Sequence, residues 1–273
     1  MSGPGRLVVC PTPIGNLEDV TLRVLAALRE ADVVACEDTR RTRVLLDRYG
    51  VKARLVSYHE HNERARAAEL VERMRAGSTV ALVSDAGMPL VSDPGYLLVR
   101  ACVAAGLPVE VLPGPSAAIT ALVASGLPAS EWRFQGFLPR KRAELEAVLR
   151  EPGGTLVAFE SPRRVPATLA AIARLEPERR VALCRELTKA HEEVVRGSAS
   201  ELAGRYAASP PRGEVVLVLA PTEVSAGGAD DAALAALRRL VAAGAKPRPA
   251  AAVVAELTGG SANALYRALT SAD

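Results

Sequence analysis

The sequence predicts two α/β domains followed by a small helical module, on three observations. Short apolar runs alternate with longer amphipathic segments, the pattern of strands and helices built around a mainly parallel sheet. Gly stands just after several of the helical segments, where a left-handed stop is expected. The composition is 49% hydrophobic but only 3% aromatic. That calls for a core of Val, Leu and Ala, as in helices laid on a parallel sheet. At 273 residues the chain exceeds one small core and suits two modest domains.

The first domain, 1–126, is read from apolar runs at 7–10, 32–36, 54–58, 79–84 and 109–112, each of buried-strand length. Helical patterns lie between them at 17–29, where Leu17, Leu22, Leu25 and Leu28 recur, and at 41–49, 62–75 and 96–105. Gly50, Gly77 and Gly106 follow the last three. The second domain, 127–220, opens at Leu127-Pro128. Its strand candidates lie at 133–137, 155–159, 180–184 and 214–220, and its helices at 141–150, 162–174 and 200–206. The last strand, EVVLVLAP, is an unbroken apolar run and is expected at the centre of its sheet. Residues 221–230 hold Ser, Gly-Gly and Asp and read as a linker. The Ala-rich stretch 231–273 carries three short helical patterns, a small helical tail domain.

Bulk chemistry narrows the class. The net charge is only +3, but Lys occurs at just four positions and Arg supplies the remaining cations. Arg favours planar, bidentate contacts with phosphate or carboxylate. Cys10, Cys36, Cys102 and Cys184 are scattered with no C-x-x-C, so buried free thiols in a reducing compartment are expected. The first residues show no apolar signal region, and no stretch approaches the roughly 18 apolar residues of a membrane span. A cytoplasmic protein without a membrane partner follows.

In an open α/β sheet, ligands bind at the carboxyl ends of the strands, so the loops after the strands carry the functional reading. Three are unusual. Pro11-Thr12-Pro13-Ile14-Gly15-Asn16 follows the first strand; its two Pro and single Gly make it stiff, unlike a phosphate cradle. The twelve residues from Ser84 to Gly95 follow the fourth strand and hold two Asp, two Pro and two Gly. Such a loop leaves backbone groups free for a small polar ligand, with Asp85 or Asp93 available to a positive or hydroxyl-bearing one. Pro113-Gly114-Pro115-Ser116-Ala117-Ala118 follows the fifth strand and opens a helix of small residues, which allow a flat ligand close approach. The three loops should converge on one pocket. No metal set is present: His59 and His61 lack a third partner. No G-x-S-x-G elbow supports a Ser-His-Asp triad.

These residues resemble a known family. VVCPTPIGNLEDVTLRVLAALREADVVACEDTRRTRVLL, SYHEHNE, VALVSDAGMPLVSDPGYLLVR, LPGPSAAITALVASGLP, FQGFLPRK, FESPRR and CRELTKAHEEVVRG follow in order from Leu7 to Ala220. Together they resemble the ribosomal RNA small subunit methyltransferase I family of the tetrapyrrole methylase superfamily. Cys10 stands where Ala is more usual and Met88 where Thr is. The resemblance implies two class III methyltransferase domains with S-adenosylmethionine in the cleft between them, a homodimer, and methylation of the 2′-hydroxyl of a decoding-centre cytidine in 16S ribosomal RNA. It implies that Pro13, Ile14 and Gly15 border the cleft. Asp85, Ala86 and Gly87, with Ser92 in the same loop, would hold the methionine and sulfonium side. Ser116 and Ala117 would contact the cofactor, while Phe159 and Glu160 close over the adenosine.

A ribose hydroxyl is a weak acid, so a base or oxyanion stabiliser is expected. The candidates are Glu37 and Asp38 after the second strand, His59 and Glu60 after the third, and Lys189. His59 suits a base because imidazole titrates near neutrality. Asp38 equally suits a helix cap, and Lys189 equally suits a pair with Glu192 or Glu193. RNA contacts are expected at Arg40, Arg41 and Arg43, at Arg140 and Lys141, and at Arg163. So few aromatics argue against a broad base-stacking platform. The rivals are a methyltransferase for a tetrapyrrole-type small molecule, whose relatives tend to show G-P-G-D and G-D-P in the first two loops, and a non-catalytic ribosome assembly factor.

Overall fold

Alternation along the strands sets the layers of the first unit. The computed structural model describes residues 5–222, 226–258 and 260–270. It places β1 (Leu7–Val9), β2 (Val33–Cys36), β3 (Leu55–Ser57), β4 (Val80–Val83) and β5 (Val109–Val111) in one parallel sheet of order β3-β2-β4-β1-β5. Val8, Val34, Cys36, Ala81 and Val83 face α1 (Leu22–Glu30) and α2 (Thr39–Arg48). Leu7, Val9, Val33, Ala35, Val80 and Leu82 face α3 (Glu63–Arg75) and α4 (Tyr96–Ala104). A sheet covered on both sides is why these strands read as continuous apolar runs. All four cysteines are buried and free.

The helix expected over 17–29 is broken in two. Leu17–Asp19 form a 3-10 turn in which Asn16 Oδ1 accepts from the Glu18 N–H at 3.0 Å. α1 begins only after Thr21, whose hydroxyl accepts from the Val24 N–H at 3.1 Å. Short polar side chains that bond the local backbone override a helical Leu repeat.

In the second unit, α5 (Ala117–Ser125) precedes β6 (Trp132–Phe137), α6 (Arg142–Arg150), β7 (Thr155–Glu160), α7 (Val165–Leu175), β8 (Arg180–Arg185), β9 (Glu193–Ser198), α8 (Ala199–Tyr206) and β10 (Val215–Leu219). The sheet order is β6-β7-β10-β8-β9, so the apolar β10 is central as expected. β6 and β7 run parallel, and the other neighbours antiparallel. β9 had no apolar run to announce it: it is an edge strand, half-exposed over most of its length.

α5 follows the first sheet in the chain but packs on the second. Its Ala118, Ala121 and Leu122 share an apolar cluster with Val157, Ala182, Val216 and Val218. α6, α7 and α8 cover the opposite face. A division after residue 126 therefore falls between α5 and the sheet it covers. The remaining helices, α9 (Ala226–Ala242), α10 (Pro247–Thr258) and α11 (Ala262–Thr270), close on Ala233, Leu237, Ala251, Val254 and Leu265. α9 starts inside the stretch read as a linker, extending the Ala- and Leu-rich helix back through Gly227 and Gly228. Residues 223–225 of that stretch lie outside the described residues. Among the described residues, no helix is long and apolar enough to cross a membrane.

Candidate active site

The stiff first loop is laid along the second. Thr12 and Gly87 exchange N–H···O=C bonds, both 2.9 Å, and Thr12 Oγ1 donates to Ser84 O at 3.0 Å. Gly87 needs its glycine: its φ is +79°, and a Cβ there would stand 3.3 Å from Ile14 Cγ2. Further along the same loop Leu90 and Ser92 hold φ of +74° and +65° without being glycine. In the second unit Glu186 and Thr188 do the same at +50° and +66°, on either side of Leu187. Non-glycine residues in this region store strain, and strain of this kind clusters at sites.

These segments enclose a cavity of about 300 Å³. The first unit lines it with Ile14, Ala86, Gly87, Ser92, Ser116 and Ala117, so the three loops do converge. The second unit adds Phe159, Glu160, Ser161 and Pro162, with Cys184, Leu187, Glu214 and Val216. Three residues expected at this site do not line it. Pro13 is buried behind the loop. Gly15 abuts the second unit: a Cβ would lie 2.5 Å from Lys189 Cγ, 2.7 Å from Thr188 Oγ1 and 3.0 Å from Leu187 O. Asp85 turns toward α2, where Oδ1 accepts from the Asp38 N–H at 2.9 Å and Oδ2 lies 3.5 Å from Arg41 Nε. Asp38 itself caps α2, accepting from the Arg40 N–H at 2.8 Å. The Glu160 carboxylate is buried and fully engaged. It accepts from the Ser161 N–H and from Thr168 Oγ1, both at 2.7 Å, and lies 3.4 Å from Arg164 Nε.

A second cavity, of about 570 Å³, adjoins the first. Glu37, His59, Glu60, His61 and Glu63 line it, and it shares Ser92 and Asp93 with the first. Burial pushes the Asp93 carboxyl up to about 6; the Ser84 hydroxyl opposes this, and the nearby Glu37 and Asp85 charges add to it. Glu37 is raised as well, by burial first and then by Asp85. Asn62 holds His59: its Oδ1 accepts from the His59 backbone N–H at 3.0 Å, and its Nδ2 donates to Ser57 O at 3.2 Å and lies 3.3 Å from His59 Nε2. His59 Nδ1 is buried without a hydrogen-bond partner among the described residues.

Lys189 lines neither cavity. Its Nζ donates to Glu186 Oε1 at 2.9 Å and Glu214 Oε2 at 3.0 Å, rather than to Glu192 or Glu193. Burial pulls the ammonium down, but the bonds to Glu186 and Glu214 outweigh it and hold its pKa above the usual lysine value. The basic residues form rims. Arg40, Arg41 and Arg43 lie exposed on α2, which starts two residues beyond Glu37. Arg140 and Arg163 are exposed next to wall segments of the first cavity, while Lys141 pairs with Glu144 at 3.0 Å.

Phe137 and Glu214 are among the wall residues that the sequence did not single out, and Asp93, offered there for a ligand, was not proposed as a proton acceptor. For Phe137 the local signal was the Gly136 that interrupts its strand.

Comparison with known proteins gives the following. A family model for Tetrapyrrole (Corrin/Porphyrin) Methylases matches residues 6–203. A relative in Mesorhizobium japonicum named ribosomal RNA small subunit methyltransferase I is 48% identical over 269 residues, covering 96% of this chain and 90% of its own. One of the same name in Thermotoga maritima is 45% identical over 221 residues, covering 80% and 100%. The crystal structure of uroporphyrin-III-C-methyltransferase from Thermus thermophilus superposes with a TM-score of 0.59 at 26% identity, covering 78% of this chain and 94% of that one.

Proposed function

The chain belongs to the tetrapyrrole (corrin/porphyrin) methylases, within the ribosomal RNA small subunit methyltransferase I family, and on that premise we propose that it transfers a methyl group from S-adenosylmethionine to the 2′-hydroxyl of a decoding-centre cytidine in 16S ribosomal RNA. The observation that carries this reading is the junction at Ser92 and Asp93 of a largely apolar cavity with an acidic one. The first suits the donor and the second admits the acceptor sugar.

The donor fits the first cavity. Its size lies at the lower end of the range for small-ligand sites, about 300–1,000 Å³. Ile14, Leu187, Val216 and Phe159 offer apolar walls to a flat ring, and the carboxylates of Asp93 and Glu214 stand in its wall toward a cation. When bound, S-adenosylmethionine supplies an activated methyl on its sulfonium. The protein has to align the acceptor oxygen with it and keep water out. Asp93 takes the acceptor hydroxyl's proton onto its carboxylate: its raised pKa is matched to that task near neutrality, and it makes no ion pair among the described residues. His59 then shapes the wall of the acidic cavity, and the doubly engaged Lys189 holds Glu186 and Glu214 in place. The acidic floor repels phosphate, so the backbone of the RNA lies on the arginine rims while the sugar enters.

Gly15→Ala should push loop one away from the 187–189 segment. Overpacking of this kind costs about 1–2 kcal/mol, so affinity for S-adenosylmethionine should fall roughly tenfold by calorimetry. An unchanged affinity would place this contact outside the binding unit. We also place the chain in the cytoplasm as a homodimer acting within the small subunit. The decisive experiment is transfer from labelled S-adenosylmethionine to small subunits lacking the modification. Label recovered as 2′-O-methylcytidine supports the reading. Donor binding without RNA labelling overturns it in favour of a small-molecule acceptor.

A further inference from the structure

All three Phe residues of the chain form one cluster beside the donor cavity, and one of them faces outward. Phe134 and Phe137 each meet the Phe159 ring edge-on, with centroids 5.0 and 5.5 Å away. Phe137 remains 61% exposed. The backbone sets its direction. The register between β6 and β7 shifts between Phe134 and Phe137, and Gly136 stands there with φ +68°. A bulge of this kind re-aims the side chains around it. A Cβ on Gly136 would lie 3.4 Å from Ser92 Oγ, so the bulge rests against a residue that both cavities share. Phe137 therefore lines the donor cavity on the side where the acidic cavity joins it.

The surroundings of the ring are basic and braced. The Leu138 N–H donates to Phe159 O at 3.2 Å. The Arg164 guanidinium donates to Leu138 O at 3.1 Å and to Pro139 O at 2.6 Å. These bonds tie the strand end to the turn after β7. Each of the two segments carries an exposed arginine, Arg140 and Arg163, with no ion pair among the described residues. An aromatic face beside unpaired guanidinium groups is what an unstacked nucleotide requires: the ring takes the base and the cations take the flanking phosphates. This makes a stacking position beside the donor cavity, suited to a single nucleotide drawn out of its fold.

We infer that Phe137 stacks on the base of the acceptor nucleotide, with Arg140 and Arg163 holding the phosphates on either side. The inference rests on the RNA methyltransferase reading, and one experiment separates the two. The full chain is assayed on unmodified small ribosomal subunits, with subunit Kd measured by filter binding in the absence of donor and S-adenosylmethionine Kd by calorimetry. Absence of transfer by the wild type overturns the function reading, and this inference with it. With an active wild type, Phe137→Ala should raise both the KM and the Kd for subunits roughly tenfold or more, and Phe137→Tyr should recover most of the loss. Phe137→Leu should fail to recover it, and in each variant donor affinity should fall by much less than kcat/KM does. Arg140→Ala and Arg163→Ala should each flatten the salt dependence of binding by about one unit of slope. An unchanged subunit KM in Phe137→Ala, or full rescue by Leu, overturns the stacking role. A loss of donor affinity equal to the loss in kcat/KM overturns it too, and assigns the ring to the donor.

Discussion

Asp93→Asn is expected to lower kcat by about 10²- to 10⁴-fold, the contribution of a positioned general base. The pH profile makes the test specific. Only the carboxylate form accepts a proton, so wild-type kcat/KM should climb through about pH 6, the value to which burial lifts this group in the free protein. Above that it should level off. In the variant the climb should disappear. A variant that keeps it would move the base elsewhere, to Glu37 first, whose carboxyl is also raised and faces the same cavity.

The same substitution should stabilise the protein near neutral pH. A carboxyl whose folded pKa lies above its unfolded value binds protons more tightly when folded. Stability is then lost as pH rises from the unfolded value, about 4, to the folded one. Asn carries no charge and removes that loss. The melting temperature should therefore rise above about pH 6 and stay unchanged below about pH 4, within the window the two pKa values define. A slower, more stable enzyme is the signature of a group held at a site against its own solvation.

Glu160→Ala should act in the opposite way, on stability before chemistry. The carboxylate is buried under three partners, the Ser161 N–H, the Thr168 hydroxyl and Arg164. Its removal leaves a hydroxyl and an amide unpaired and a guanidinium without its counter-charge. Arg164 keeps 28% of its side chain in water; this screening lowers the cost from that of a fully buried pair to about 2–4 kcal/mol. The melting temperature should fall by roughly 5–15 °C. Glu160→Gln, which keeps the shape and one acceptor, should lie between. An unchanged melting temperature combined with weaker donor binding would make Glu160 a cofactor ligand instead of a brace.

Both predictions mark where sequence reasoning stopped. Asp85 and Asp93 sit in one loop with similar neighbours in the chain, and the sequence offered either for a ligand. Their difference is tertiary. Asp85 meets Asp38 and Arg41, more than forty residues earlier, and is taken up by them. Asp93 makes no ion pair among the described residues and is partly desolvated between two cavities. Lys189 looked like a partner of Glu192 or Glu193, yet its second carboxylate comes from Glu214, which precedes β10 and lies beyond β9 and α8 in the chain. His59 is held at its backbone N–H and faced at its ring by Asn62, a contact its place in the loop did not announce.

What the sequence determined by itself was the arrangement of layers and the address of the site. Apolar runs that alternate with helical periodicity define a doubly covered sheet. Loops crowded with Pro, Gly and Asp at the strand ends mark where backbone is left free to bind. Caps such as Asp38 and Thr21 were equally local, since a short polar side chain and the first helical turn need no distant partner. Only the tertiary structure decided that α5 leaves its own sheet for the second one, and that strand ends of both sheets gather around one cavity. Only it decided which carboxylate is neutralised and which is left to titrate. Periodicity is a property of neighbours along the chain. The charge and direction of a side chain depend on whatever the fold places within a few ångströms of it.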